Sequence, residues 1–310
     1  MASELSNLYA QDYEHRLDRT ALENMLRTPG IDKIVRKFND LGIEKLLRTI
    51  NDNSHLEITA ESFPEIQKML EEVCETINLP FIPKIHIERT ELLDAMTIGA
   101  DDPIIMLSSE AIERFTAEEL RFIIGREVGH IKSDHILYHQ IGKLMPYISK
   151  AVGMMTLGIS NLITPVAEIA LQQWSMMADL TADRAGLLAV QDLEIATKTM
   201  AKFSGLPATH YDKYEIKHFI KQARSTDTIE KRLGDKLIKF ASTVITNTSW
   251  SVSRMGELLR WIDTGNYDRV IKKSIPGPLL TAQCTNCRHI MRGNILVCTK
   301  CGHPTVVEAL

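Results

Sequence analysis

The sequence predicts an α+β fold, a mostly helical body with one small sheet, followed by a separate small module at the C-terminal end. Three observations carry this reading. Apolar residues recur at helical spacing from Asp18 to about Asn78 and again beyond Glu168. Short β-prone segments cluster between residues 84 and 107. A Pro/Gly stretch, KKSIPGPLLTAQ, then leads into four closely paired cysteines.

The first stretch, residues 1–80, is a helical lead-in: IVRKFNDLGIEKLLRTI and FPEIQKMLEEVCETI keep an apolar stripe, punctuated by PG and NDNS. Cys74 lies on that stripe and reads as a small core residue. KIHIE (84–88), DAMTIG (94–99) and PIIML (103–107) follow as strands separated by the turn-prone ADDP. Thr116 then opens a helix, with Glu119 three residues on completing a capping-box pattern. Beyond Glu168 come a long helix through ALQQWSMMADLTADRAGLLAV and segments near 192–203, 212–222, 227–243 and 251–263. The expected domains are therefore the helical region 1–80, a main domain 81–271, a linker 272–283 and a C-terminal module 284–303.

Composition limits the functional classes. A chain of 310 residues, 44% hydrophobic and 25% charged, is ordinary for a globular protein. Its formal net charge of -4 gives no basic surface of the kind that drives binding to phosphate backbones, so no nucleic-acid partner is expected. The opening MASELSNLYAQDYEHR has neither an apolar leader nor the Arg-rich character of a transit peptide. Paired cysteines in such a chain favour metal thiolates over disulfides, and the expected compartment is the cytoplasm. Residues 151–167 are uncharged but carry Asn161 and Pro165, short of the ~20 apolar residues a spanning helix wants. A buried helix pair is favoured there over membrane contact.

Cys284, Cys287, Cys298 and Cys301 form CxxC, ten intervening residues, then CxxC. Two such turns offer four thiolates at about 2.3 Å to one tetrahedral zinc and leave no open coordination position, so this zinc is structural. The spacer MRGNILV is expected to form a short hairpin between the two turns. A module this small depends on the metal for its fold.

The second motif is GREVGHIKSDH, residues 125–135. With histidine at 126 it would contain HEVGH, in which two histidines on one helix bind zinc and the glutamate activates a zinc-bound water. Arg126 has no lone pair to give a metal. His135 and His139, at offsets of five and nine from His130, fall off its helix face and read as ordinary surface or core residues. His210 and His218 have no evident partner, and Trp174, Met176 and Met177 read as core filling.

Residues 81 to about 271 resemble the HtpX-like zinc metallopeptidases, the gluzincin family that also includes the CAAX prenyl proteases. The resemblance is carried by DAMTIGADDPIIMLSSEAIERFTAEELRFIIGREVGHIKSDHILYH, by ADLTADRAGLLAVQD and by SWSVSRMGELLRWIDTGNY. It implies a mostly helical gluzincin-type domain and a set of site positions. Glu127 falls on the general base, His130 on the second histidine ligand, Asp183 on the second-shell aspartate and Arg254 on the late arginine. Three positions depart: Arg126 replaces the first histidine, Asp179 the glutamate ligand, and Thr248 with Ser249 a His-Pro pair.

The departures point one way. Arg126 places a fixed positive charge where a dication sits, a repulsion of several kcal/mol at intermediate dielectric. Catalytic zinc is therefore expected to be absent, leaving one structural zinc, and metal held by His130 and Asp179 alone would be too weak to matter. Asp179 and Asp183 are four apart and share a helix face. The guanidinium of Arg126 is expected to take the zinc's place against one or both. The reading is a non-catalytic protein that holds a peptide or protein partner in the former cleft, by strand addition near DAMTIG. The alternative is an active zinc endopeptidase with an altered site.

Overall fold

A computed structural model of the chain describes residues 2–90, 93–152, 165–233, 250–272, 281–286, 288 and 290–292. Four helices open it: α1 (Ala10–Tyr13), α2 (Arg16–Leu26), α3 (Ile31–Asp40) and α4 (Ile43–Ser54). Strand β1 (Leu56–Ile58) and helix α5 (Pro64–Ile77) follow, then β2 (Lys84–Glu88), β3 (Ala95–Ile98) and β4 (Ile104–Ser108). The remaining helices of the body are α6 (Ser109–Arg114), α7 (Ala117–Lys132), α8 (Ile136–Val152), α9 (Pro165–Val190), α10 (Leu193–Phe203), α11 (Ile216–Ser225), α12 (Ile229–Leu233), α13 (Ser251–Asp263) and α14 (Asn266–Ile271).

The lead-in is thus not all helix. β1 is only three residues long, too short for a period-two pattern to show in the sequence, and it pairs antiparallel with β2. The sheet has the order β1-β2-β4-β3, with β2 and β4 parallel and β3 antiparallel to β4, so β3 is an edge. Every residue of β4 is buried, as expected of an apolar run with neighbours on both sides.

Local chemistry sets the helix ends. The Thr116 hydroxyl accepts from Glu119 N–H while the Glu119 carboxylate accepts from Thr116 N–H at 2.8 Å, the capping box expected from sequence. Asp192 caps α10 by accepting from the N–H groups of Glu194 and Ile195. At the far end of α7, Asp134 takes the left-handed conformation (φ 58). Asp134 N–H donates to Ile131 and His135 N–H to His130, which closes the helix and reverses the chain into α8.

One large core joins the sheet to α5, α7, α9, α10 and α13 through Ile85, Ile105, Leu107, Phe122, Ile123, Leu188 and Leu258. A second lies among α2, α3, α8 and α9 around Trp174. Helices α7 and α9 approach very closely. A Cβ on Gly125 would fall 2.4 Å from the Ala189 Cβ, and one on Gly129 2.3 Å from the Ala185 Cβ. Those glycines therefore set the interhelical distance, and with it the distance between the side chains that face each other beside them.

The expected segments at 192–203 and 251–263 fold as α10 and α13, while the one near 212–222 begins four residues later as α11. Among the described residues no helix is long and apolar enough to cross a membrane. Residues 153–164, the middle of the uncharged stretch, lie outside them. Strands β5 (Thr281–Gln283) and β6 (Ile290–Arg292) pair antiparallel, with Cys284 directly after β5. Of the four cysteines of the CxxC pairs Cys284 is described and buried, while Cys287, Cys298 and Cys301 lie outside the described residues, as does the spacer beyond Arg292.

Candidate functional site

Three helices bring the sequence-predicted residues together. Arg126, Glu127 and His130 project from α7, Asp179 and Asp183 from α9, and Arg254 from α13. Thr248 and Ser249 lie outside the described residues.

Arg126 is buried at 4% exposure, and its guanidinium has two carboxylate partners. Nε donates to Asp183 Oδ1 at 2.8 Å and Nη2 to Asp179 Oδ1 at 3.1 Å. Arg254 closes the opposite side: its Nε donates to Asp183 Oδ2 at 2.7 Å, and Nη1 stands 3.6 Å from Asp179 Oδ2. Two buried cations thus face two aspartates one helical turn apart, a balance of charge that makes the deep burial of Arg126, Arg254 and Asp183 tolerable, while Asp179 stays part-exposed. Burial pushes the Asp179 carboxyl up, but Arg254, then His130 and Arg126, hold it well below the usual carboxylate range. The same pair of aspartates raises the guanidinium of Arg254 against the effect of its burial.

Glu127 is buried, and its Oε2 accepts from the Thr97 hydroxyl at 2.9 Å. This bond ties Glu127 on α7 to the edge strand β3. Close by, Gly99 N–H donates to Gln140 Oε1 at 3.2 Å, linking the end of β3 to α8.

The histidines depart most from expectation. Because the chain reverses at Asp134, His135 and His139 do not continue the α7 helix but fold back onto His130. His130 Nδ1 lies 3.0 Å from His135 Nδ1, and the rings of His130 and His139 stack with centroids 4.7 Å apart. His135 Nε2 reaches Asp18 Oδ2 at 3.2 Å, and the Trp174 indole donates to the other Asp18 oxygen at 3.0 Å. Trp174 therefore fills core and also holds a buried carboxylate. Burial lowers the His135 pKa, but Asp18 more than offsets it, leaving the ring above the ordinary imidazole range. His139 is held well below that range, by burial first and then by His130 beside it. The KSDH sequence carried the turn signal, a polar break with an Asp in it, but helical spacing alone hid the fold-back.

His130 Nε2 points to Asp179 Oδ1, 3.5 Å away. His130, His139 and Asp179 each offer a ligand atom within 4.8 Å of the others, which makes this the group among the described residues able to hold a metal ion. Elsewhere His218 meets Glu215 on the surface, and the His210 ring touches the Thr209 hydroxyl.

A signature helix bearing the Glu127–His130 half of a zinc motif, crossed at close range by a helix with two carboxylates, defines a metallopeptidase fold. The comparison with known families agrees: residues 60–259 match peptidase family M48, and the chain belongs to it. The chain is 25% identical over 273 residues to the plastoglobule-localized metallopeptidase 48, chloroplastic, of Arabidopsis thaliana, covering 86% of this chain and 77% of that one. It is 34% identical over 74 residues to a protease HtpX homolog of Helicobacter pylori, 23% of this chain and 24% of that one. To the protease HtpX homolog of Pediococcus pentosaceus it is 28% identical over 105 residues, 33% and 34% of the two chains. No solved structure matches it.

Peptidases of family M48 use zinc, and the residues here do not fit a zinc held in the usual way. Arg126, which the sequence resemblance sets against the first histidine, is a guanidinium without a lone pair, already bonded to both aspartates of the crossing helix.

Proposed function

We propose that this chain is a non-catalytic member of peptidase family M48 that binds an extended peptide or protein segment without cleaving it. The observation that carries the reading is the buried guanidinium of Arg126, bonded at 2.8 Å to Asp183 and at 3.1 Å to Asp179. A charge-assisted pair does there the electrostatic work that a dication does in a zinc site, and it keeps α7 and α9 together without a metal. β3 stands at the edge of the sheet, with no strand on its outer side among the described residues, and is where an added strand would pair. One structural zinc in the C-terminal module follows from the spacing of the four cysteines.

Labelled casein peptides mixed with the full chain test this. Binding by fluorescence anisotropy without new fragments, unchanged by a chelator and by Glu127→Gln, is the expected result. Chelator-sensitive cleavage that disappears in Glu127→Gln would establish the alternative, a zinc endopeptidase using Glu127 to activate water.

A further inference from the structure

We propose that His130, His139 and Asp179 form an offset metal site that takes a first-row divalent ion of the zinc or cobalt class, with His139 supplying the ligand that position 126 lost. The three groups come from α7, α8 and α9 and converge within 4.8 Å. Two imidazoles and one carboxylate are a donor set that zinc and its neighbours favour. Metal–ligand bonds of about 2.0–2.2 Å require the three groups to draw in on the ion.

An independent observation points to a ligand here. His139 is 95% buried, and its Nε2 has no hydrogen-bond partner. An imidazole nitrogen left bare in the interior carries an unmet desolvation cost, and a coordinated ion removes it.

The surroundings of His130 are also those of a ligand. Asp18, a carboxylate, accepts from His135 Nε2–H. His130 Nδ1 and His135 Nδ1 stand 3.0 Å apart; when an ion binds and His135 gives up its Nδ1 proton, that nitrogen accepts from His130 Nδ1–H and leaves the Nε2 lone pair of His130 for the metal. Metal-binding histidines are oriented in this way by a hydrogen bond on the far nitrogen. Asp18 is in turn fixed by the Trp174 indole and the Thr181 hydroxyl. Arg126 shares Asp179 Oδ1 with the site, so metal and guanidinium compete for one carboxylate.

Metal content of the full chain after loading with Zn2+, and Co2+ spectra of the same protein, test the proposal. Wild type is expected to hold one more ion than His139→Leu, and the difference between their Co2+ spectra to show nitrogen and oxygen ligation without thiolate charge transfer. Asp179→Asn, nearly isosteric, should lose the same ion; His135→Gln should weaken it about 10–100-fold, the usual effect of removing an orienting partner. Arg126→Gln, by freeing Asp179, should tighten it. Equal metal content in wild type, His139→Leu and Asp179→Asn would overturn the site. The outcome separates from the proposed function: an ion lost in His139→Leu together with Glu127-dependent cleavage keeps the site and overturns the non-catalytic reading. No difference in metal and no cleavage does the reverse.

Discussion

Asp183 accepts from two guanidiniums at once, and the two arginines are not equivalent. Arg254 spans both Asp183 oxygens and also faces Asp179, whereas Arg126 gives each aspartate one bond. Removing Arg254 leaves a buried carboxylate short of its main partner, a loss worth about 3–5 kcal/mol in comparable buried pairs. Arg254→Met is therefore expected to lower unfolding free energy by that amount in urea titration, and Arg126→Met by less. Equal losses would show that the pairing is shared evenly. Much of this site was legible in the residues. Asp179 and Asp183 could be placed on one helix face because a four-residue spacing fixes it, and the family resemblance set that face opposite Arg126. His139 could not, because its approach depends on one left-handed residue, Asp134, and a turn of the chain is not visible in helical spacing.

At the scale of elements, the contact between α7 and α9 decides how far apart the opposing charges stand. Gly125 and Gly129 flank Arg126 and Glu127 on the sequence and meet Ala189 and Ala185 in space. A methyl at residue 129 would lie 2.3 Å from the Ala185 Cβ, so one helix has to move. Gly129→Ala is expected to cost ~1–3 kcal/mol as overpacking, against the ~1 kcal/mol that Ala gains over Gly in a helix interior. A urea midpoint at or above that of wild type would show that the helices yield freely. Gly205, with open space where its Cβ would point, gives a control for crowding, although its positive φ makes Ala strained there. The strands at 84–88, 94–99 and 103–107 were legible because each is apolar and bounded by turns. β1 was not, since its partner β2 and not its three residues makes it a strand.

Across the whole molecule, the α13 carboxylate Glu257 joins distant parts of the chain. It accepts from Ile229 N–H at 2.9 Å and from Arg260 Nη2 at 3.0 Å, and it faces His15 Nε2 at 3.7 Å. Burial raises its pKa, but His15, Arg260 and the Ile229 amide bring it down to about 2 from an ordinary 4.5. A lowered folded-state pKa means stability that is present above 4.5 and lost as pH falls towards 2. The difference corresponds to about 3 kcal/mol at neutral pH. The gap in unfolding free energy between wild type and Glu257→Gln should be near that value at pH 7 and close as the pH drops from 4.5 to 2. A gap independent of pH would place the effect in packing rather than charge.

The same reach across the chain bears on Asp18, which lies well ahead of the residues that match the family, yet holds His135 behind His130. During synthesis Asp18 leaves the ribosome ahead of His135, Trp174 and Thr181, the partners that hold it, and the charged centre beyond them is complete only when Arg254 follows. The interior of this protein therefore closes around an acid that is made before the residues that hold it.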